Sequence, residues 1–151
     1  TVFGRDHVWF GTGAAARARV LRSADRGRTW QIADTPLLAG PSAGIYSVAF
    51  RDALRGVVVG GDYAKETEAV DNVAITSDGG RTWALVKERG LGGFRSVVAH
   101  VPGSRASFLA VGVPGLNWSL RGNPNHEPKN AGTNQGSHRV GPAAVSTRMP
   151  A

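Results

Sequence analysis

The sequence predicts an all-β chain assembled from repeated four-stranded units, and three observations carry that reading. An octapeptide of the form Ser/Thr-x-Asp-x-Gly-x-Thr-Trp occurs twice, as SADRGRTW at 23–30 and TSDGGRTW at 76–83. The apolar residues, 41% of the 151, fall in short runs, and long helical patterns are absent. The 21 glycines and 8 prolines are scattered between those runs, as a chain with many turns requires.

The strands follow in order along the chain. HVWFGTG (7–13) opens the series and RARVLRSAD (17–25) follows it. The first octapeptide then reverses the chain into TWQIADT (29–35). The same succession of RGVVVGGD (55–62), DNVAITSD (71–78) and TWALVKE (82–88) surrounds the second octapeptide. IYSVAF (45–50) and FRSVVAHV (94–101) each open a further unit, ahead of the glycine-punctuated runs GVVVGG and FLAVGV (108–113). Four short strands in a unit of about 50 residues are the signature of a β-propeller blade. The predicted division is a first, partial blade at 1–44, a second blade at 45–93, an incomplete third blade at 94–122 and a low-complexity tail at 123–151.

The octapeptide has a physical reading as the turn between the third and fourth strands of a blade. An aspartate there, Asp25 or Asp78, accepts hydrogen bonds from the backbone amides that follow it. Gly27 and Gly80 take the positive φ that a β-carbon resists. Ser23 and Thr76 begin the device, Thr29 and Thr82 bond back into it from the returning strand, and Trp30 and Trp83 fold an apolar body beneath it.

These strings resemble the Asp-box, or bacterial neuraminidase repeat, carried on propeller blades of sialidases, sortilin-type receptors and some glycoside hydrolases. Together with VWFGTG, AGIYSVAFRD, GVVVGGDY and VAITSDGGRTW they make residues 5–115 similar to the photosystem II stability/assembly factor-like propellers. The resemblance implies a partial β-propeller of two to three four-stranded blades with Asp-box turns at the blade periphery, away from the binding face. It also implies a non-enzymatic scaffold for protein–protein interaction, exported to a periplasmic or extracellular location. A complete propeller closes a ring of about 4 to 8 blades. The chain therefore reads as a fragment, or as a subunit that needs partner blades and self-associates through open blade edges. Thr1 stands where a start methionine would, so either a targeting segment has been removed or the chain is a fragment.

Composition narrows the chemistry. Cysteine is missing, so no disulfide or thiolate metal site is available, and His7, His100, His126 and His138 show no metal-ligand spacing. No cofactor is expected, and no Gly-x-Gly-x-x-Gly turn opens a helix as a dinucleotide-binding oxidoreductase would need. The formal net charge of +7 raises nucleic acid as a partner. However, Arg17 and Arg19 alternate along a strand, Arg26 and Arg28 sit in a turn, and no aromatics interleave as a stacking platform, so nucleic acid is not expected. No run approaches the ~20 apolar residues of a membrane span. A sialidase-like site needs an arginine triad and a tyrosine paired with a glutamate, and neither Tyr46 nor Tyr63 sits in such a motif. Tyr46 alternates with Ile45 and Ser47, which assigns it to packing. The alternative to a protein-binding scaffold is a glycan-binding or glycosidase-derived propeller fragment.

The candidate binding feature is the segment GGDYAKETEAVDN (60–72). It is longer than a hairpin requires, and loops in excess of the fold's needs often carry function. Asp62, Tyr63, Lys65 and Glu66 are its candidate partner-binding residues, with Glu68 and Asp71 beside them, and Phe94 is a second candidate exposed aromatic. Propeller topology places this segment on the same rim as TPLLAGPSAG (35–44), opposite the octapeptide turns. A third octapeptide is due at Ser119, but Arg121, Asn123, Asn125 and His126 occupy its Asp, Gly, Thr and Trp positions. From Asn123 onward the composition predicts a largely disordered tail.

Overall fold

The computed structural model describes residues 1–87, 91–105 and 107–113 in full, and residues 115–118 by their backbone. The sites of the missing third octapeptide and of the predicted tail lie outside the described residues. Strands β1 (Val2–Phe3), β2 (His7–Gly11), β3 (Arg19–Ser23) and β4 (Gln31–Asp34) form one antiparallel sheet in that spatial order. Strands β5 (Ala43–Phe50), β6 (Gly56–Asp62), β7 (Val73–Thr76) and β8 (Ala84–Leu85) form a second in the same way. A third is built from β9 (Val97–His100), β10 (Phe108–Gly112) and β11 (Gly115–Trp118), with β10 in the middle. The architecture is a partial β-propeller. Two strands go beyond those named from the sequence: Val2–Phe3, which pairs with β2, and Gly115–Trp118, which pairs with β10 within the incomplete third blade.

Burial explains why the strand sequences are near-continuous apolar runs. In β6, Val57, Val58 and Val59 are all at most 1% exposed although consecutive residues point to opposite faces. Val58 packs with Phe50 and Ala74 against Trp9 and Val20 of the first sheet. Val57 and Val59 pack with Val73 against Val98, Phe108 and Ala110 of the third. The middle sheet is therefore the filling between two others. Burying a valine of this kind is worth about 1.5–3 kcal/mol, so each face contributes substantially to stability.

Two hydrogen bonds of the same kind join consecutive sheets. Ile45 donates its amide to the Thr12 carbonyl at 3.0 Å, and Arg95 donates to the Gly60 carbonyl at 2.9 Å. Trp9 adds a third tie, stacking on Phe50 with ring centroids 3.7 Å apart and donating its indole N–H to the Gly79 carbonyl at 2.9 Å.

Close backbone approach explains one conspicuous glycine. A β-carbon at Gly60 would run into the carbonyl oxygen of Gly44, on the strand paired with it. Gly60→Ala should lower the urea midpoint by an amount equivalent to about 1–3 kcal/mol, the usual cost of overpacking. Gly40→Ala, whose added carbon meets only Ala43 at 4.0 Å, should leave it almost unchanged. Equal midpoints for the two variants would contradict this packing.

Candidate functional site

The two octapeptides form polar turns with closely similar hydrogen bonds. In the first, Asp25 Oδ1 accepts from the Ser23 hydroxyl at 2.8 Å and the Thr29 amide at 2.9 Å, while Oδ2 accepts from the Thr29 hydroxyl at 2.6 Å. In the second, Asp78 Oδ1 accepts from the Thr76 hydroxyl, the Arg81 amide and the Thr82 amide at 2.8–3.0 Å. Its Oδ2 accepts from the Thr82 hydroxyl at 2.6 Å. Ser23 and Thr76 in turn accept from the amides of Gly27 and Gly80, whose φ values are +82° and +87°. A side chain on either glycine would be strained in that conformation.

The electrostatic consequence follows from the donors. The Thr29 hydroxyl, the Thr29 amide and the Ser23 hydroxyl lower the Asp25 pKa to about 2. At Asp78 burial works the other way. It is outweighed by the Thr82 hydroxyl and amide, the Thr76 hydroxyl and the Arg81 amide, and that carboxyl also falls to about 2. A general acid at neutral pH needs a raised pKa, so neither group has the protonation state for such a role.

The tryptophans differ between the copies. Trp30 donates to the Gly27 carbonyl at 3.0 Å but stays 39% exposed, stacked on Phe10 instead of lying beneath a covered turn. Trp83 is half-buried and packs edge-on against Phe50, and its indole N–H has no hydrogen-bond partner among the described residues. Trp83 thus packs against the core between the first two sheets, whereas Trp30 keeps 39% of its surface in solvent.

The rim forms where three loops are stitched together. The Tyr63 amide donates to the Ser42 carbonyl at 3.1 Å and the Leu38 amide to the Asp71 carbonyl at 2.9 Å, so segments 35–44 and 60–72 meet. The Phe94 amide donates to the Glu66 carbonyl at 2.9 Å. Buried Asn72 clamps the third loop by donating its amide to the carbonyls of Leu91 and Gly93, both at 2.7 Å. The long segment is shaped locally by a single 3₁₀ turn at Tyr63–Lys65, which Asp62 caps by accepting from the Ala64 amide at 2.9 Å. A bond from Ser42, and then the Ala64 amide, hold the Asp62 carboxyl below its ordinary range. Lys65 and Glu68 make an exposed ion pair at 3.4 Å, a contact of the class that adds little stability.

On this frame sit two exposed aromatics. Tyr63 is 50% exposed and meets the ring of Tyr46 edge-on, with centroids 6.1 Å apart. Tyr46 rests edge-on against Phe94 at 4.8 Å, and Phe94 is buried, which corrects its expected exposure. Tyr46 was assigned to packing by alternation, but a β-bulge between Ile45 and Ser47 breaks that alternation and turns its ring to the rim. Burial, then neighbouring Tyr63 and Asp62, raise the Tyr46 pKa. Tyr46 also lines a shallow depression between β2 and β5, together with Phe10, Gly11 and Ser47. Asp62 is half-buried, while Tyr63, Lys65, Glu66, Glu68 and Asp71 are exposed.

Among the described residues no group of three or more His, Asp or Glu side chains could hold a metal ion. No helix among them is long and apolar enough to cross a membrane.

No protein-family profile and no curated protein matches the chain. Solved structures do match. One is YCF48 bound to D1 peptide, at a TM-score of 0.53 and 20% identity, over 77% of this chain and 34% of that one. The chain thus spans about a third of the length of that propeller, and the likeness is one of fold.

The turn geometry gives a pH dependence with a definite sign. Asp25 and Asp78 ionise near 2 when folded, against about 3.9 in an unfolded chain, so their contribution is complete above about pH 4. It is lost as the pH falls through about 2. Stability measured by urea titration from pH 6 downward should decline across that window. The double variant Asp25→Asn, Asp78→Asn should start lower and decline less steeply, and a decline parallel to that of the unaltered chain would contradict the assignment.

Proposed function

We propose that the chain is a non-enzymatic propeller scaffold that binds a segment of another protein on the rim formed by residues 35–44, 60–72 and 91–95. The observation that carries this reading is the Tyr46–Tyr63 pair. Two aromatic rings stand in solvent at a place where three loops are tied to one another by backbone hydrogen bonds. Aromatics of this kind lose little side-chain entropy on binding and are the usual anchors of protein interfaces. In these segments Asp62, Glu66, Glu68 and Asp71 outnumber Lys65 and the buried Arg95, giving an acidic border on a chain whose net charge is +7. Such a border favours a peptide that carries basic residues beside an apolar anchor.

Two considerations support the reading from outside the rim. The octapeptide turns, which resemble Asp-boxes, spend both carboxylate oxygens of Asp25 and Asp78 on their own backbone and hydroxyl groups, so these two acids are not free for glycoside chemistry. The fold likeness is to a propeller in complex with a peptide, and the sequence resembles photosystem II stability/assembly factor-like propellers. A peptide-binding role for this chain extends both.

Selection of displayed peptides against the chain tests the proposal. Bound peptides should share an apolar residue flanked by lysine or arginine. Tyr63→Ala should weaken their binding about tenfold or more, as loss of an interface anchor does, without lowering the melting temperature. Tyr63-dependent binding of a glycan in place of peptides would favour the glycan-binding alternative. Undiminished peptide binding by Tyr63→Ala would move the site off this rim.

A further inference from the structure

The register of the sheets shows which residues occupy equivalent places. Val8 pairs with Ser23 in the first sheet and Gly56 with Thr76 in the second, the serine and threonine each opening an octapeptide. Phe10 therefore corresponds to Val58. The cross-strand row Phe10, Leu21, Ile32 corresponds to the row Val58, Ala74, Leu85. In the second sheet this face is buried against the first sheet, with Val58 and Ala74 at 0% exposure. In the first sheet the same face is open: Phe10 is 53% exposed, Ile32 63% and the flanking Trp30 39%.

The third sheet has the complementary vacancy. The bonds Ile45 to Thr12 and Arg95 to Gly60 place Arg95 where the second sheet has Ile45. Val97 and Ala99 then stand at the positions of Ser47 and Ala49, and the register sets Leu109 and Val111 at those of Val57 and Val59. Ala49, Val57 and Val59 are the residues by which the second sheet grips the third. On the third sheet the corresponding row is open, with Val97 51% and Val111 40% exposed. One end of the stack thus carries the face that receives a preceding sheet, and the other carries the face that such a sheet presents. A β-sheet apolar on both sides buries the second side against something.

We infer that two copies of this chain associate head to tail, the third-sheet face of one (Val97, Ala99, Leu109, Val111) seating on the first-sheet face of the next (Phe10, Leu21, Trp30, Ile32). The contact continues the interface already present twice within the chain. It is heterologous, because different surfaces meet, so repetition either closes a ring or extends a filament.

Sedimentation velocity of the whole chain tests this across rising concentration. The average mass should grow with concentration to at least roughly twice that of the monomer, as a heterologous contact requires. Phe10→Asp, on the receiving face, and Val111→Asp, on the presenting face, should each abolish the growth. Mixed in equal amounts they should form a heterodimer and stop there, since each retains the one face the other lacks. Ile32→Asp and Val97→Asp repeat the design at other exposed positions, with melting curves reporting that every variant is folded. A chain that stays monomeric throughout overturns the inference and leaves these faces to another polypeptide. Single variants that still associate like the unaltered chain, or a mixture that stays monomeric, overturn it too.

Discussion

A four-stranded sheet that is apolar on both faces cannot stand alone in water, and this constraint organises the molecule. The middle sheet satisfies it by lying between two others: Val58 and Ala74 on one side and Val57, Val59 and Val73 on the other are almost wholly excluded from solvent. The close approach that follows leaves no room for a side chain at Gly11, where an added carbon would run into Ile45 of the next sheet, and places Trp9 flat upon Phe50. The same approach lets the amides of Ile45 and Arg95 reach back to the preceding sheet.

The octapeptide serves this stacking as well as reversing the chain. Asp78 collects the amides and hydroxyls of its turn, and the geometry so fixed presents the Gly79 carbonyl to the indole of Trp9 on the neighbouring sheet. A turn that looks self-contained in sequence is therefore half of an inter-sheet contact. In the first copy Arg26 takes the place of Gly79, with φ of +66°, and no preceding sheet lies against it among the described residues. The two copies are alike in their polar bonds and differ in what their tryptophans touch. The rim is tied to the same stacking, since Gly60 accepts from the Arg95 amide, Asn72 donates to the Gly93 carbonyl and Phe94 packs against Tyr46.

The fold was legible because the constraint writes itself into sequence twice over. Strands buried on both faces read as unbroken apolar runs such as GVVVGG, and the polar turn fixes residue type at five positions of eight. The meeting of segments 35–44 and 60–72 followed from propeller topology. What escaped was decided by single backbone events. The bulge that turns Tyr46 outward leaves no mark on the alternation of IYSVAF, and Val2–Phe3 is too short a strand to carry a periodic signal. Phe94 read as a rim aromatic, yet its burial depends on Tyr46 and the Glu66 carbonyl, partners distant in sequence.

Native-state hydrogen exchange in increasing urea tests most directly whether the sheets depend on one another. If the stacking holds the fold, the amides of Val58 and Ala74, toward the first sheet, and of Val57 and Val73, toward the third, exchange through one common opening. Their opening energy should equal that of global unfolding and should merge with those of Val20 and Val98 in the neighbouring sheets. Separate opening energies for the three sheets, each with its own urea dependence, would mean that every sheet stands by itself and would contradict the account.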